Sequence, residues 1–131
     1  SVEQAYQSHY EDVFNREDAI QFFSSLLAPH LPGDKTVSIL DIGCGSGLGL
    51  CAIDGLGYKD IQGIDINALQ VESSRQRGLQ VHHVSETSAW LTSTEKRFDF
   101  VIATDVLEHM DAQERQHVMK GINDGSVYIE Y

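Results

Sequence analysis

Five short apolar runs divide the chain: 37–41 (VSILD), 61–66 (IQGIDI), 79–84 (LQVHHV), 97–104 (RFDFVIAT) and 126–131 (SVYIEY). Their length and their β-branched and aromatic content predict strands, and the first of them reads as a buried parallel strand that stops where a carboxylate begins. Helical spacing fills the intervals. Ala19, Ile20, Phe22, Phe23, Leu26 and Leu27 recur on one face up to Pro29, behind an Asn15/Asp18 start signal. A helix over 48–54 follows the first run, and Asn67 with Gln70 caps another that ends at Gly78. Asp111 with Glu114 opens one more over 112–122. Strand–helix alternation of this kind predicts an α/β domain with a parallel sheet and right-handed crossovers. Residues 1–34 form an arm and a packing helix, and 35–131 form the core. In the arm, Tyr6 and Tyr10 lie among acids, able to close over a site or to anchor the arm itself.

The chemistry concentrates after the first run. Gly43, Gly45, Gly47 and Gly49 occupy every second position between Asp41 and the helix. This spacing permits a sharp turn, positive φ and close approach of a ligand to bare backbone. A nicotinamide-binding turn of the G-x-G-x-x-G type fits neither register, because its last glycine would fall on Leu48 or Leu50. Asp65 ends the second run 22 residues beyond Gly43, where a carboxylate can accept both hydroxyls of a ribose. His82 and His83 alternate across the third strand, so at most one faces the core, and both read as structural.

The string Asp41-x-Gly-x-Gly-x-Gly47 resembles motif I of the class I S-adenosylmethionine-dependent methyltransferases. The run FDFV followed by DVLEH, 98–101 and 105–109, is similar to a later signature of that family. The resemblance extends from about Lys35 onward. It implies a Rossmann-like open sheet in the order 3-2-1-4-5 with helices on both faces, S-adenosylmethionine as cofactor and S-adenosylhomocysteine (SAH) as product. It also implies that Asp41 and Gly43 meet the methionine amino group, with Cys44, Gly45 and Gly47 shaping the cradle. Asp65 would hold the ribose, Ile66 would lie on the adenine face, and Glu86 stands where the family usually has an aspartate for the adenine amino group. Thr104 and Asp105 would sit near the sulfonium methyl, with His109 as the base for a hydroxyl or amine acceptor. Methyl transfer is an in-line displacement that asks mainly for alignment and a dry site, so no triad is needed.

Two departures from the family pattern stand out. Only Asn123, Asp124 and Gly125 precede the fifth strand, where relatives have a longer loop. The chain also stops at Tyr131, where the family continues through a helix and an antiparallel pair of strands, so a fragment is expected, its fifth strand an edge open to self-association. Asp105, Glu108 and His109 spell D-x-x-E-H, close to the E-x-x-E-H of metal-assisted methyltransferases, but the first acid differs and no metal is assigned.

Composition narrows the partners. With 131 residues the chain holds one domain, and a net charge of −11 argues against nucleic acid as partner. The sequence has no apolar run long enough to span a membrane and no secretory leader, and its two cysteines, Cys44 and Cys51, flank the turn, which suits a reducing cytoplasm. The reading is therefore a methyltransferase acting on oxygen or nitrogen of a small molecule. The alternatives are a cofactor-binding module without catalysis of its own, a metal-assisted O-methyltransferase and, against the glycine spacing, an NAD-dependent oxidoreductase.

Overall fold

The computed structural model describes residues 16–103, 112–113 and 127–130. Helix α1 (Arg16–Leu27) runs into a single 3-10 turn at Ala28–His30, and strand β1 (Ile39–Ile42) follows. Next come α2 (Leu48–Gly55), β2 (Ile61–Asp65), α3 (Ala68–Gln76), β3 (Val81–His83), α4 (Thr87–Ser93), β4 (Phe100–Ala103) and β5 (Val127–Glu130). The strands form one sheet in the order β3-β2-β1-β4-β5, and each neighbouring pair is parallel.

The core follows from the two-residue period of a strand. Ile39, Phe100 and Ile102 join Leu27 of α1, Leu50 and Ile53 of α2 and Val71 of α3 in one buried cluster. Leu40, Ile42, Val101 and Ala103 point the other way, into a second cluster with Leu91 of α4 and with Phe98. Helices thus cover both faces. Right-handed crossovers explain the division: β1 to β2 to β3 moves one way across the sheet and lays α2 and α3 on one face. The step from β3 back past β1 to β4 reverses direction and puts α4 on the other.

Observed strands are shorter than the apolar runs. β1 starts at Ile39 because Ser38 is tied sideways: its N–H donates to Asp99 Oδ2 (2.9 Å) and its hydroxyl to the Arg97 carbonyl (3.1 Å). Tyr58, buried, donates its hydroxyl to the Pro32 carbonyl and carries Lys35 Nζ 4.2 Å above its ring, which joins the loop before β1 to the one before β2. Helix α4 has no counterpart among the helices that the spacing predicts; Thr87 and Ser88 are buried in its first turn. Of the helix expected over 112–122, Ala112 and Gln113 are described and helical. The amino-terminal arm lies outside the described residues.

Candidate functional site: the glycine turn between two aspartates

The sheet changes direction between β1 and β4, and crevices that receive ligands open at the carboxyl ends of strands at such a reversal. Both Asp41, inside β1, and Asp65, the last residue of β2, stand at that edge.

Between them the chain makes its glycine turn. Gly43, Gly45 and Gly47 all take left-handed backbone, with φ of 74°, 58° and 90°. Beyond that shared backbone geometry, Gly45 and Gly47 stand in different surroundings. A Cβ on Gly45 would meet nothing within 4 Å, so its side of the turn is open. A Cβ on Gly47 would lie 2.4 Å from Leu79 Cδ1 and 3.1 Å from Ser74 Cβ; this glycine lets α3 and its following loop press against the start of α2. The amides of Gly43 and Cys44 both donate to the Ile64 carbonyl (2.8 and 3.2 Å), which anchors the turn to β2.

Asp65 completes the anchoring. Its Oδ2 accepts the Gly45 N–H and its Oδ1 the Asn67 N–H, both at 2.8 Å. Asn67 in turn caps α3, its side chain accepting from the amides of Leu69 and Gln70. An ionised carboxylate has about four acceptor positions, so Asp65 is oriented by two amides and keeps capacity for hydroxyl donors. Asp41 is placed otherwise. It is 2% exposed, and its Oδ1 has no hydrogen-bond partner among the described residues. Its flanking partners in register are Gly63 and Ile102, neither with a side-chain donor. Burial, and secondarily the charge of Asp65, pushes the Asp41 carboxyl up to about 8.

The remaining expected residues fall in different places. The thiol of Cys44 sits in the core cluster and is held protonated by burial and by the two acids, so its backbone is what faces the turn. Ile66 is 65% exposed just beyond Asp65, and Leu69, at the first turn of α3, is 83% exposed. Glu86 is exposed at the start of α4, its Oε1 accepting the Ser88 hydroxyl at 2.6 Å. Thr104, Asp105, Glu108 and His109 lie outside the described residues. No group of three or more His, Cys, Asp or Glu side chains able to hold a metal occurs among the described residues, and none of their helices is long and apolar enough to cross a membrane.

Three residues support the turn and the segment after it: Arg77 and Gly63 are not singled out in the sequence analysis, and His83 reads there as structural without a partner. Arg77, at the end of α3, donates from Nε to the Ser46 carbonyl (3.0 Å) and so grips the glycine turn from outside. His83 donates from Nε2 to the Ile66 carbonyl (3.1 Å), steadying the segment after Asp65. Gly63, inside β2, leaves the space that Cys44 occupies: a Cβ there would sit 2.6 Å from Cys44 Sγ and 2.8 Å from Leu50 Cδ1. Only Gly63 left a signal, since glycine inside a strand marks a close approach. Chemically, the edge offers a buried acid lacking a counter-charge among the described residues, an oriented carboxylate beside it, and an apolar shoulder at Ile66.

The methyltransferase domain family model matches residues 39–124. No curated protein matches the chain. Among solved structures, the chain is similar to a SAM-dependent methyltransferase from Archaeoglobus fulgidus, at 24% identity over 95% of this chain and 56% of that one, with TM-score 0.69. It is similar to the PH0226 protein from Pyrococcus horikoshii OT3, at 20% identity over 93% and 64%, TM-score 0.69. It is also similar to the plantazolicin methyltransferase BpumL in complex with SAH, at 20% identity over 97% and 52%, TM-score 0.62. At these identities the likeness shows the fold, and the chain spans 52% to 64% of the length of the three structures. With its glycine turn, its sheet order and the span of the family match, the chain belongs to the methyltransferase domain family.

Proposed function

We propose that this chain is the donor-binding core of an S-adenosylmethionine-dependent methyltransferase whose acceptor is an oxygen or nitrogen atom of a small molecule. The observation that carries the reading is the pairing of a buried Asp41, whose Oδ1 has no partner among the described residues, with an oriented Asp65 across an open glycine turn. A ligand that is cationic at one end, hydroxylated in the middle and flat and apolar at the other matches this order of groups. Asp41 would meet the amino-acid cation, Asp65 the ribose hydroxyls and Ile66 the adenine face, with Gly43, Cys44, Gly45 and Gly47 supplying the backbone between them. The bound cofactor supplies a methyl carbon activated by positive sulfur. The work left to the protein is to hold that carbon in line with the acceptor and keep water away. Glu86 is proposed for the adenine amino group, Thr104 and Asp105 for the region around sulfur, and His109 for accepting the acceptor's proton.

Support comes from family membership and from the complex of BpumL with SAH, a protein of the same fold. The test is calorimetric titration of the protein and of Asp65→Ala with SAH and, separately, with NAD. The native protein is expected to bind SAH and not NAD, and the variant to lose at least about tenfold in affinity, the worth of one charge-assisted hydrogen bond. Equal affinities for both proteins, or preference for NAD, overturn the reading. Transfer of a labelled methyl group to a metabolite pool then separates an enzyme from a binding module.

A further inference from the structure

Asp41 and Asp65 share one edge of the sheet but differ in how their charge is supported. Asp65 accepts two backbone amides, each at 2.8 Å, and is partly open to solvent. Asp41 is buried, and its Oδ1 finds no partner among the described residues. Among the described residues the elements around it offer no compensating charge: β2 presents Gly63 in register and the like charge of Asp65, β4 presents Ile102, α2 presents Leu50 beside Gly63, and the turn presents the protonated thiol of Cys44. Two carboxylates at such a site do not both ionise without a counter-charge, and the proton goes to the one with fewer donors and less water.

We propose that Asp41 holds its proton in the free protein and releases it to solvent when a ligand's ammonium group arrives, so that the site selects adenosyl ligands retaining the amino-acid cation. The exchange balances: the O–H bond of the Asp41 carboxyl breaks, the proton passes to buffer, and the resulting carboxylate is neutralised by the incoming ammonium. The displaced desolvation cost makes the selection. A ligand with no cation leaves Asp41 protonated and draws nothing from it, whereas a cationic ligand gains a buried ion pair. The inference rests on the donor-binding reading given above.

The experiment is titration calorimetry of the chain with SAH and with 5′-methylthioadenosine, which keeps the adenosine and sulfur and lacks the amino-acid group. Each titration is run near neutral pH in two buffers of different ionisation enthalpy. With SAH, the heat is expected to differ between buffers by the equivalent of about one released proton, and affinity to rise roughly tenfold per pH unit between about pH 5 and pH 7. With 5′-methylthioadenosine, neither effect is expected. Asp41→Asn mimics the protonated acid and removes the slope, and the ligand's own titration, common to both proteins, cancels in the comparison. The buffer series on the native protein decides the matter even if that variant does not fold. Binding of SAH with buffer-independent heat and pH-independent affinity overturns the inference and leaves the donor-binding reading intact. Failure of the folded protein to bind SAH at any pH overturns both.

Discussion

A carboxyl group buried next to another carboxylate favours the folded chain only while it keeps its proton. The Asp41 carboxyl is raised from 3.8 to about 8 in the fold, first by burial and then by Asp65. Its contribution to stability is therefore fully present below about pH 4 and is lost as pH rises through about 8, at no more than about 1.4 kcal/mol per pH unit. The expected result is that, relative to Asp41→Asn, the native protein loses stability steadily between those limits, read from denaturant midpoints at a series of pH values. Parallel curves for the two proteins would show that Asp41 is ionised and compensated. That Asp41 and Asp65 stand at the carboxyl ends of neighbouring strands on either side of the glycine turn was readable in the chain, because both acids end apolar runs beside alternating glycines. Their inequality was not readable: it depends on which of the two receives the amides of Gly45 and Asn67, and residue 45 reaches Asp65 only through the turn.

Elements differ in how much of themselves they announce. Helix α3 carries its own start signal, the Asn67 side chain accepting from Leu69 and Gln70, and was found from the spacing of Asn67 and Gln70. Helix α4 carries none: Glu86 at its start makes no side-chain cap, Thr87 is β-branched, and its seven residues are too short to show a period. It forms because Leu91 and Trp90 have the second face of the sheet to pack against. The same dependence on context holds for the end of α3. Arg77 donates to the Ser46 carbonyl, a hydrogen bond to a charged group worth about 1.5–3 kcal/mol. Arg77→Ala is expected to weaken SAH binding several-fold, with Arg77→Lys failing to restore it because an ammonium cannot reproduce the Nε–H direction. Unchanged SAH affinity in Arg77→Ala, measured by calorimetry, would mean that the glycine turn keeps its shape without this support.

At the scale of the molecule, the candidate site lies where the sheet reverses direction between β1 and β4, which leaves the carboxyl ends of the central strands available to a ligand. The groups that would hold a donor belong to β1, β2 and the loop between β1 and α2, so ligand binding draws on contacts that exist only when these elements are assembled. SAH at about a hundredfold excess over its dissociation constant is accordingly expected to add about 2.7 kcal/mol to the unfolding free energy. For a domain of 131 residues this raises the melting temperature by several degrees, measured by thermal shift. A melting temperature indifferent to SAH and to pH would remove the ligand from the account. The net charge of −11 does not oppose a donor that brings positive charge of its own.

With the strand order supplied by the family resemblance, the sequence by itself determined most of the alternation of strands and helices, the parallel sheet, and the glycine turn with an acid on either side. These depend on local signals: the period of apolar positions, capping residues and glycines with no local substitute. Only the tertiary structure decided where β1 begins, that α4 forms, which acid is satisfied and which keeps an oxygen without a partner among the described residues, and that Arg77, His83 and Gly63 serve the turn and its surroundings. Each of those outcomes rests on groups distant in the chain meeting across the sheet, as when Ser38 meets Asp99 or Arg77 meets Ser46. Burial and hydrogen-bond partnership are properties of that meeting and of no residue alone.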